Sequence, residues 1–148
     1  MADIRLATTD EDIAACAPVM RELRPELDPA EFLPRVRRLE ATGYHLARLA
    51  QDGRVVAVAG FRLGENLAWG HFLYVDDLVT AASARSRGHG AALMRWLADF
   101  ARRHGCGQLH LDSGTHRKDA HRFYLREGMT LASCHFSARL GNEGSAGL

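Results

Sequence analysis

Asp76-Asp77-Leu78-Val79-Thr80, followed after a short connection by Arg85-Ser86-Arg87-Gly88-His89-Gly90-Ala91-Ala92-Leu93-Met94, is the stretch on which the reading of this chain turns. It passes from a strand-forming apolar run into an Arg-x-x-Gly-x-Gly turn that opens a helix. Two glycines remove the Cβ atoms that would hold a bulky phosphate away from the backbone. The first turn of a helix leaves its N–H groups unpaired and aligned, and its dipole favours negative charge. Arg85 and Arg87 add cations beside those donors. The turn therefore suits a pyrophosphate. The plain alternative is a helix that starts after a glycine turn with both arginines solvated, and the surrounding sequence has to decide.

Downstream, Leu93, Trp96, Leu97 and Phe100 recur at i, i+3, i+4 and i+7, and Arg102, Arg103 and His104 precede Gly105, which predicts a helix over 88–104. Gln108-Leu109-His110-Leu111-Asp112 alternates as a strand leading to Ser113-Gly114-Thr115. A further helix is predicted over 116–127, stopped by Gly128, and one or two closing strands over 129–140. Residues 141–148 are small and polar and read as a frayed tail.

Upstream, Ile4-Arg5-Leu6-Ala7 alternates as a first strand, and Thr8-Thr9-Asp10-Glu11-Asp12 carries the cap and first-turn acids of a helix in which Pro18 is a blemish. Asp28-Pro29 starts a second helix that runs to about residue 40, with Arg35, Arg37 and Arg38 on its wet face. Apolar runs at 44–50 and 54–63 flank Asp52-Gly53, a strong hairpin cue, and Gly64-Glu65-Asn66 marks the turn into a third run at 68–80. The predicted order is β-α-α-β-β-β-α-β-α-β-β. A strand, a crossover helix and another strand put a parallel pair in the centre of an otherwise antiparallel sheet, an α/β (α+β) fold. Ligands in such sheets gather at the C-terminal ends of strands, where the glycine turn and Ser113 both fall.

The totals bound the function. At 148 residues the chain is read as a single domain, 1–148, burying roughly 70% of its unfolded surface. A net charge of +1 gives no global field for nucleic acid or an anionic membrane. The three cysteines form neither a disulfide framework nor a zinc motif, and no leader or membrane span is evident, which fits a cytoplasmic protein. The eight histidines include no His-x-x-x-His pair, so no metal site is predicted; His71 and His110 are candidates for lining an acceptor cavity. Trp96 reads as core.

At this point the residues resemble the GCN5-related N-acetyltransferase (GNAT) superfamily. Arg85-Ser86-Arg87-Gly88-His89-Gly90 is similar to its acetyl-CoA pyrophosphate signature, Leu78-Val79-Thr80 to the strand before it, and Ala120-His121-Arg122-Phe123-Tyr124-Leu125-Arg126-Glu127-Gly128-Met129 to its second motif. Arg117 stands where the superfamily often has Asn. Within it, Tyr44-His45-Leu46-Ala47, the run from Lys118 to Gly128 and His135-Phe136-Ser137-Ala138-Arg139-Leu140 resemble aminoalkylphosphonate N-acetyltransferases. The resemblance implies acetyl-CoA as co-substrate, held by Leu78, Val79, Thr80, Arg85, Ser86, Arg87, Gly88, His89, Gly90, Ala91, Ser113, Ala120 and Phe123. It implies a splayed central pair that admits the pantetheine arm, and a possible homodimer.

Acetyl transfer from a thioester to an amine needs a neutral amine, since alkyl amines with pKa about 10.4 are mostly protonated near neutrality. Asp77, at the position where many relatives carry an acidic base, is the expected proton acceptor; Asp76, on the acceptor side, should face the other way by alternation unless a bulge intervenes. Backbone N–H groups near Leu78 and Val79 would polarise the thioester carbonyl. Tyr124, with a reference pKa of about 10 against about 8.5 for a thiol, is the expected acid for the leaving thiolate. Asp77 has capping or ion pairing as its plain alternative, and Tyr124 simple packing. The reading is direct transfer to the primary amine of a small molecule, since no nucleophile flanked by a base is seen. The alternatives are a protein N-terminal or lysine acetyltransferase and a non-catalytic acyl-CoA-binding module.

Overall fold

A computed structural model describes residues 2–141, which fall into two compact units, one ending at Leu111 and the other beginning at Asp112. The tail expected at 141–148 lies outside the described residues except for Gly141. The first unit contains β1 (Ala2–Leu6), α1 (Asp10–Leu23), α2 (Pro29–Glu40), β2 (Tyr44–Gln51), β3 (Arg54–Asn66), β4 (Gly70–Thr80), a 3-10 turn (Ala82–Ala84), α3 (His89–Arg103) and β5 (Gln108–Leu111). The five strands form one sheet in the order β1-β2-β3-β4-β5, antiparallel except for the parallel β4–β5 pair. The α/β class and the parallel pair at the crossover helix are therefore as the sequence pattern predicts.

Local chemistry sets the element ends. The Thr9 side chain accepts from the Asp12 N–H, and the Asp28 side chain accepts from the Ala30 N–H ahead of Pro29. Pro18 lies inside α1 without ending it. Asp52 and Gly53 both take positive φ, 52° and 80°, the backbone that a tight hairpin between twisted strands requires. Arg37 is on the wet face as expected, and from there donates to Asp10, Glu40 and the Thr8 carbonyl and so ties α2 to the start of α1.

The sheet has two covered faces. On one, α1 and α2 bury Ile13, Cys16, Met20, Phe32 and Val36 against Tyr44, Leu46, Val58 and Val79. On the other, α3 places Leu93, Leu97 and Phe100 over Phe61 and Leu73, all buried, with the Phe61 and Phe100 rings 5.1 Å apart. Trp96 stacks on Phe100 and belongs to this packing.

Two features of β4 position the site. The ladder with β3 pairs Gly60 with Asp77 but Phe61 with Val75, so Asp76 is an extra residue, a β-bulge. The ladder with β5 covers only Phe72 to Val75, and beyond it β4 has no strand partner on that side among the described residues. This is the parting that the resemblance implies, but the pair lies at the edge of the five-stranded sheet and not at its centre as expected, because no strand follows α4 among the described residues.

In the second unit, α4 (Lys118–Arg126) starts two residues later than predicted because the Arg117 N–H turns back to the Gly114 carbonyl at 3.0 Å. Arg122 pairs with Asp119 one turn away. The expected closing strands at 129–140 are not formed: no strand is present after α4 among the described residues, and Leu131, Phe136 and Leu140 are exposed. Alternation supplies only half of what a strand requires. The other half is an edge to pair with, and this segment has no ladder partner.

Candidate active site

The glycine turn has the geometry of an anion cradle. Gly88 caps α3 in the left-handed region with φ 79°, no side chain caps the first turn, and a Cβ at Gly88 would meet nothing within 4 Å. Ser86, two residues earlier, also has positive φ, 64°, which is uncommon for a residue with a side chain. Arg85, Ser86, Arg87 and Gly88 are exposed, and Arg85 Nε reaches the Thr80 carbonyl at 3.4 Å. The side chain of His89 is buried, so its main chain is what it offers a ligand, alongside Gly90 and Ala91. Glu22 of α1 accepts from the Ala82 N–H at 2.8 Å and fixes the connection between β4 and this turn. The residues thus fit a pyrophosphate: uncapped amides, open space and two cations.

The bulge decides which way the acids of β4 face. Val75 pairs with Phe61 on the α3 side, and strict alternation would send Asp77 the same way. The extra residue resets the phase. Asp77 pairs with Gly60, emerges on the α1–α2 side, and is followed there by Val79, which belongs to the core under α1. Asp76 also reaches that side, where Arg62 Nε and Nη2 donate to its carboxylate at 2.7 and 2.8 Å, and Arg62 lies over the Tyr74 ring. The two acids therefore share a face.

Asp77 is held from two directions. Arg24, the residue that caps α1, donates from Nε and Nη2 to Oδ1 at 3.1 and 2.9 Å, and Tyr44 Oη donates to Oδ2 at 2.9 Å. The phenol reaches Asp77 by crossing the main chain of Gly60. A Cβ there would overlap the Tyr44 hydroxyl and come within 2.6 Å of Asp77 Oδ2. Burial first, and then the adjacent Asp77 charge, push the Tyr44 phenol well above its ordinary range, so it acts as a donor. Arg24, Tyr44, Gly60, Glu22 and Arg62 are the residues whose contacts local sequence reasoning missed. The available signals were a tyrosine opening a buried strand, whose hydroxyl needs a partner, and two adjacent acids in an apolar run.

The other expected residues divide. His71 pairs with Glu65 beside the β3–β4 turn, six residues from Asp77, which at roughly 3.3 Å per residue is about 20 Å along the strand. His110 stacks on Trp69 with ring centroids 3.5 Å apart, and burial lowers its pKa. The first unit does not bring His71 to the acidic pair. In the second unit, Tyr124 and Phe123 are partly buried on α4 and their rings meet edge to face. Burial raises the Tyr124 phenol, opposed by the Arg117 charge. Ala120 lines a cavity of about 320 Å³ at the start of α4 with His116, Arg117, Lys118 and Asp119. Ser113 Oγ is buried with no hydrogen-bond partner among the described residues.

A mixed sheet whose parallel pair parts beside an uncapped, glycine-led helix N-terminus is an acetyltransferase fold. Comparison with known proteins gives the family: the acetyltransferase (GNAT) family matches residues 7–129, and the chain belongs to it. It is 37% identical over 138 residues to the uncharacterized N-acetyltransferase YhdJ of Bacillus subtilis (strain 168), spanning 92% of this chain and 97% of that one. It is 28% identical over 140 residues to the aminoalkylphosphonate N-acetyltransferase of Salmonella typhimurium, spanning 93% and 91%. Among solved structures, aminoglycoside N-acetyltransferase AAC(6')-Iy in complex with CoA superposes with a TM-score of 0.85 at 14% identity, covering 95% of each chain. The ribosomal-protein-alanine N-acetyltransferase of Brucella melitensis superposes with a TM-score of 0.81 at 19% identity, covering 95% of this chain and 100% of that one. Among the described residues no helix is long and apolar enough to cross a membrane.

Proposed function

We propose that this chain, as a single N-acetyltransferase domain, transfers the acetyl group of acetyl-CoA to the primary amine of a small molecule by direct attack in a ternary complex. The observation that carries the reading is the uncapped start of α3 at Gly88, beside a β4 edge that has lost its strand partner. Amides of residues 88–91 receive the diphosphate, with Arg85 and Arg87 neutralising its charge. The main chain at Leu78 and Val79 holds the pantetheine arm, and whichever of their two N–H groups faces away from β3 donates toward the thioester oxygen, where negative charge develops during attack. Thr80, Ser113, Ala120 and Phe123 complete the contacts, Ser113 through its unpartnered hydroxyl.

Asp77 takes the proton of the acceptor ammonium, directly or through a water, which frees the nitrogen lone pair for attack. Tyr124 gives a proton to the departing thiolate. A phenol raised by burial stays protonated until a thiolate forms beside it. The small-molecule reading draws on the aminoalkylphosphonate and aminoglycoside acetyltransferases that this chain is similar to. The test is an amine panel of aminoalkylphosphonates, polyamines, amino sugars and N-terminal peptides, assayed for CoA release. Turnover of a small amine is expected, and turnover of peptides alone overturns the acceptor class. Tyr124→Phe should lower kcat about 100-fold with KM for acetyl-CoA unchanged. A variant as fast as the parent removes Tyr124 from the chemistry.

A further inference from the structure

Arg24 makes an unusual grip. One guanidinium donates from Nε and Nη2 to Asp77 Oδ1, and from Nη2 to the Asp76 carbonyl at 3.0 Å, so it holds both the carboxylate and the main chain of the bulge. Tyr44 holds the other carboxylate oxygen. The Arg24 side chain is 52% exposed but that of Asp77 only 16%, so the pair offsets part of the cost of burying the carboxylate. The two donors also fix its orientation. With Oδ1 accepting two N–H groups and Oδ2 one O–H, the carboxylate plane of Asp77 is fixed, and of its roughly four acceptor sites one, on Oδ2, is left over. The neighbouring charges on this face, Asp76 and Arg62, pair with each other and leave Arg24 to Asp77.

We propose that Arg24, assisted by Tyr44, is a positioning residue for the reaction: it sets the direction in which Asp77 meets the acceptor amine. This rests on the reading of Asp77 as the proton acceptor. The proton leaves the ammonium nitrogen for the carboxylate or a water that it holds, and Arg24 neither gains nor loses one. The loop that follows α1 thereby becomes part of the catalytic geometry through Arg24.

The test is a double-mutant cycle on the full chain, with acetyl-CoA and the fastest acceptor of the amine panel, 2-aminoethylphosphonate being the first probe. Arg24→Ala should lower kcat about 10- to 100-fold, with KM for acetyl-CoA within about twofold of the parent. Guanidinium ion should restore part of that loss and urea at the same concentration should not. Arg24→Lys, which keeps the charge and loses the fork, should recover only part of kcat. In an Asp77→Asn background, Arg24→Ala should have no further effect on kcat. Parental kcat in Arg24→Ala, or a loss that ignores guanidinium and adds in full to that of Asp77→Asn, overturns the positioning role alone. Asp77→Asn turning over at the parental rate overturns the reading of the base and the proposal with it.

Discussion

Gly60 is a residue whose smallness has a geometric cause rather than a conformational one. The Tyr44 phenol passes over its α-carbon on the way to Asp77, and any side chain would occupy the same space. Gly60→Ala should therefore displace the phenol and cost about 1–3 kcal/mol, read as a lower urea midpoint with an unchanged slope. Tyr44 itself makes stability depend on pH at the alkaline end. Burial and Asp77 hold its folded-state phenol above the ordinary value of about 10, so the unfolded chain ionises first as pH rises. The stabilisation is complete below about pH 10 and drains away above it. Urea midpoints taken between about pH 8 and about pH 11 should fall in the parent and fall less steeply in Tyr44→Phe. Equal slopes would show that Tyr44 ionises alike in both states. That an acid stands directly before Leu78-Val79-Thr80, where the resemblance places a base, was legible. Its partners were not: Arg24 and Tyr44 lie far from it in sequence, and no local period announces a contact between a helix cap and a distant strand.

At the scale of elements, α3 was the most legible, because its apolar stripe, its basic last turn and its glycine start all point to the same boundaries. Its N-terminus also makes a sharp prediction. Gly88→Ala has room for its methyl group but must hold φ near 79°, so it should cost about 1–2 kcal/mol by thermal or urea unfolding. If α3 opens on a polyanion, Arg85→Ala combined with Arg87→Ala should weaken acetyl-CoA about tenfold and flatten the salt dependence of binding, measured by titration calorimetry. Strand β4 was half legible. Its apolar run and its turn into the glycine motif could be read, but alternation by itself would have put Asp77 under α3, and the bulge opposite Gly60 is what brings it to the α1–α2 side beside Asp76. The closing strands expected at 129–140 failed for a complementary reason. A strand pattern is satisfied only by a neighbouring edge, and pairing is not written in the segment that would be paired.

At the scale of the molecule, a near-neutral chain places two exposed arginines before a helix N-terminus, and two acids on one strand, each gripped by an arginine. The fold class followed from element order, and membership of the acetyltransferase (GNAT) family follows from a match across most of the chain. What the sequence could not supply is the identity of the amine. Acceptors are chosen by side chains from several elements, and their grouping comes only with the folded chain. The account as a whole depends on where coenzyme A lies, and a crystal structure of the chain with CoA bound measures that directly. It should show the diphosphate oxygens about 2.7–3.2 Å from the main-chain nitrogens of residues 88–91, with the pantetheine arm along the unpaired stretch of β4. CoA bound at another surface, with the turn at Gly88 empty, would contradict it.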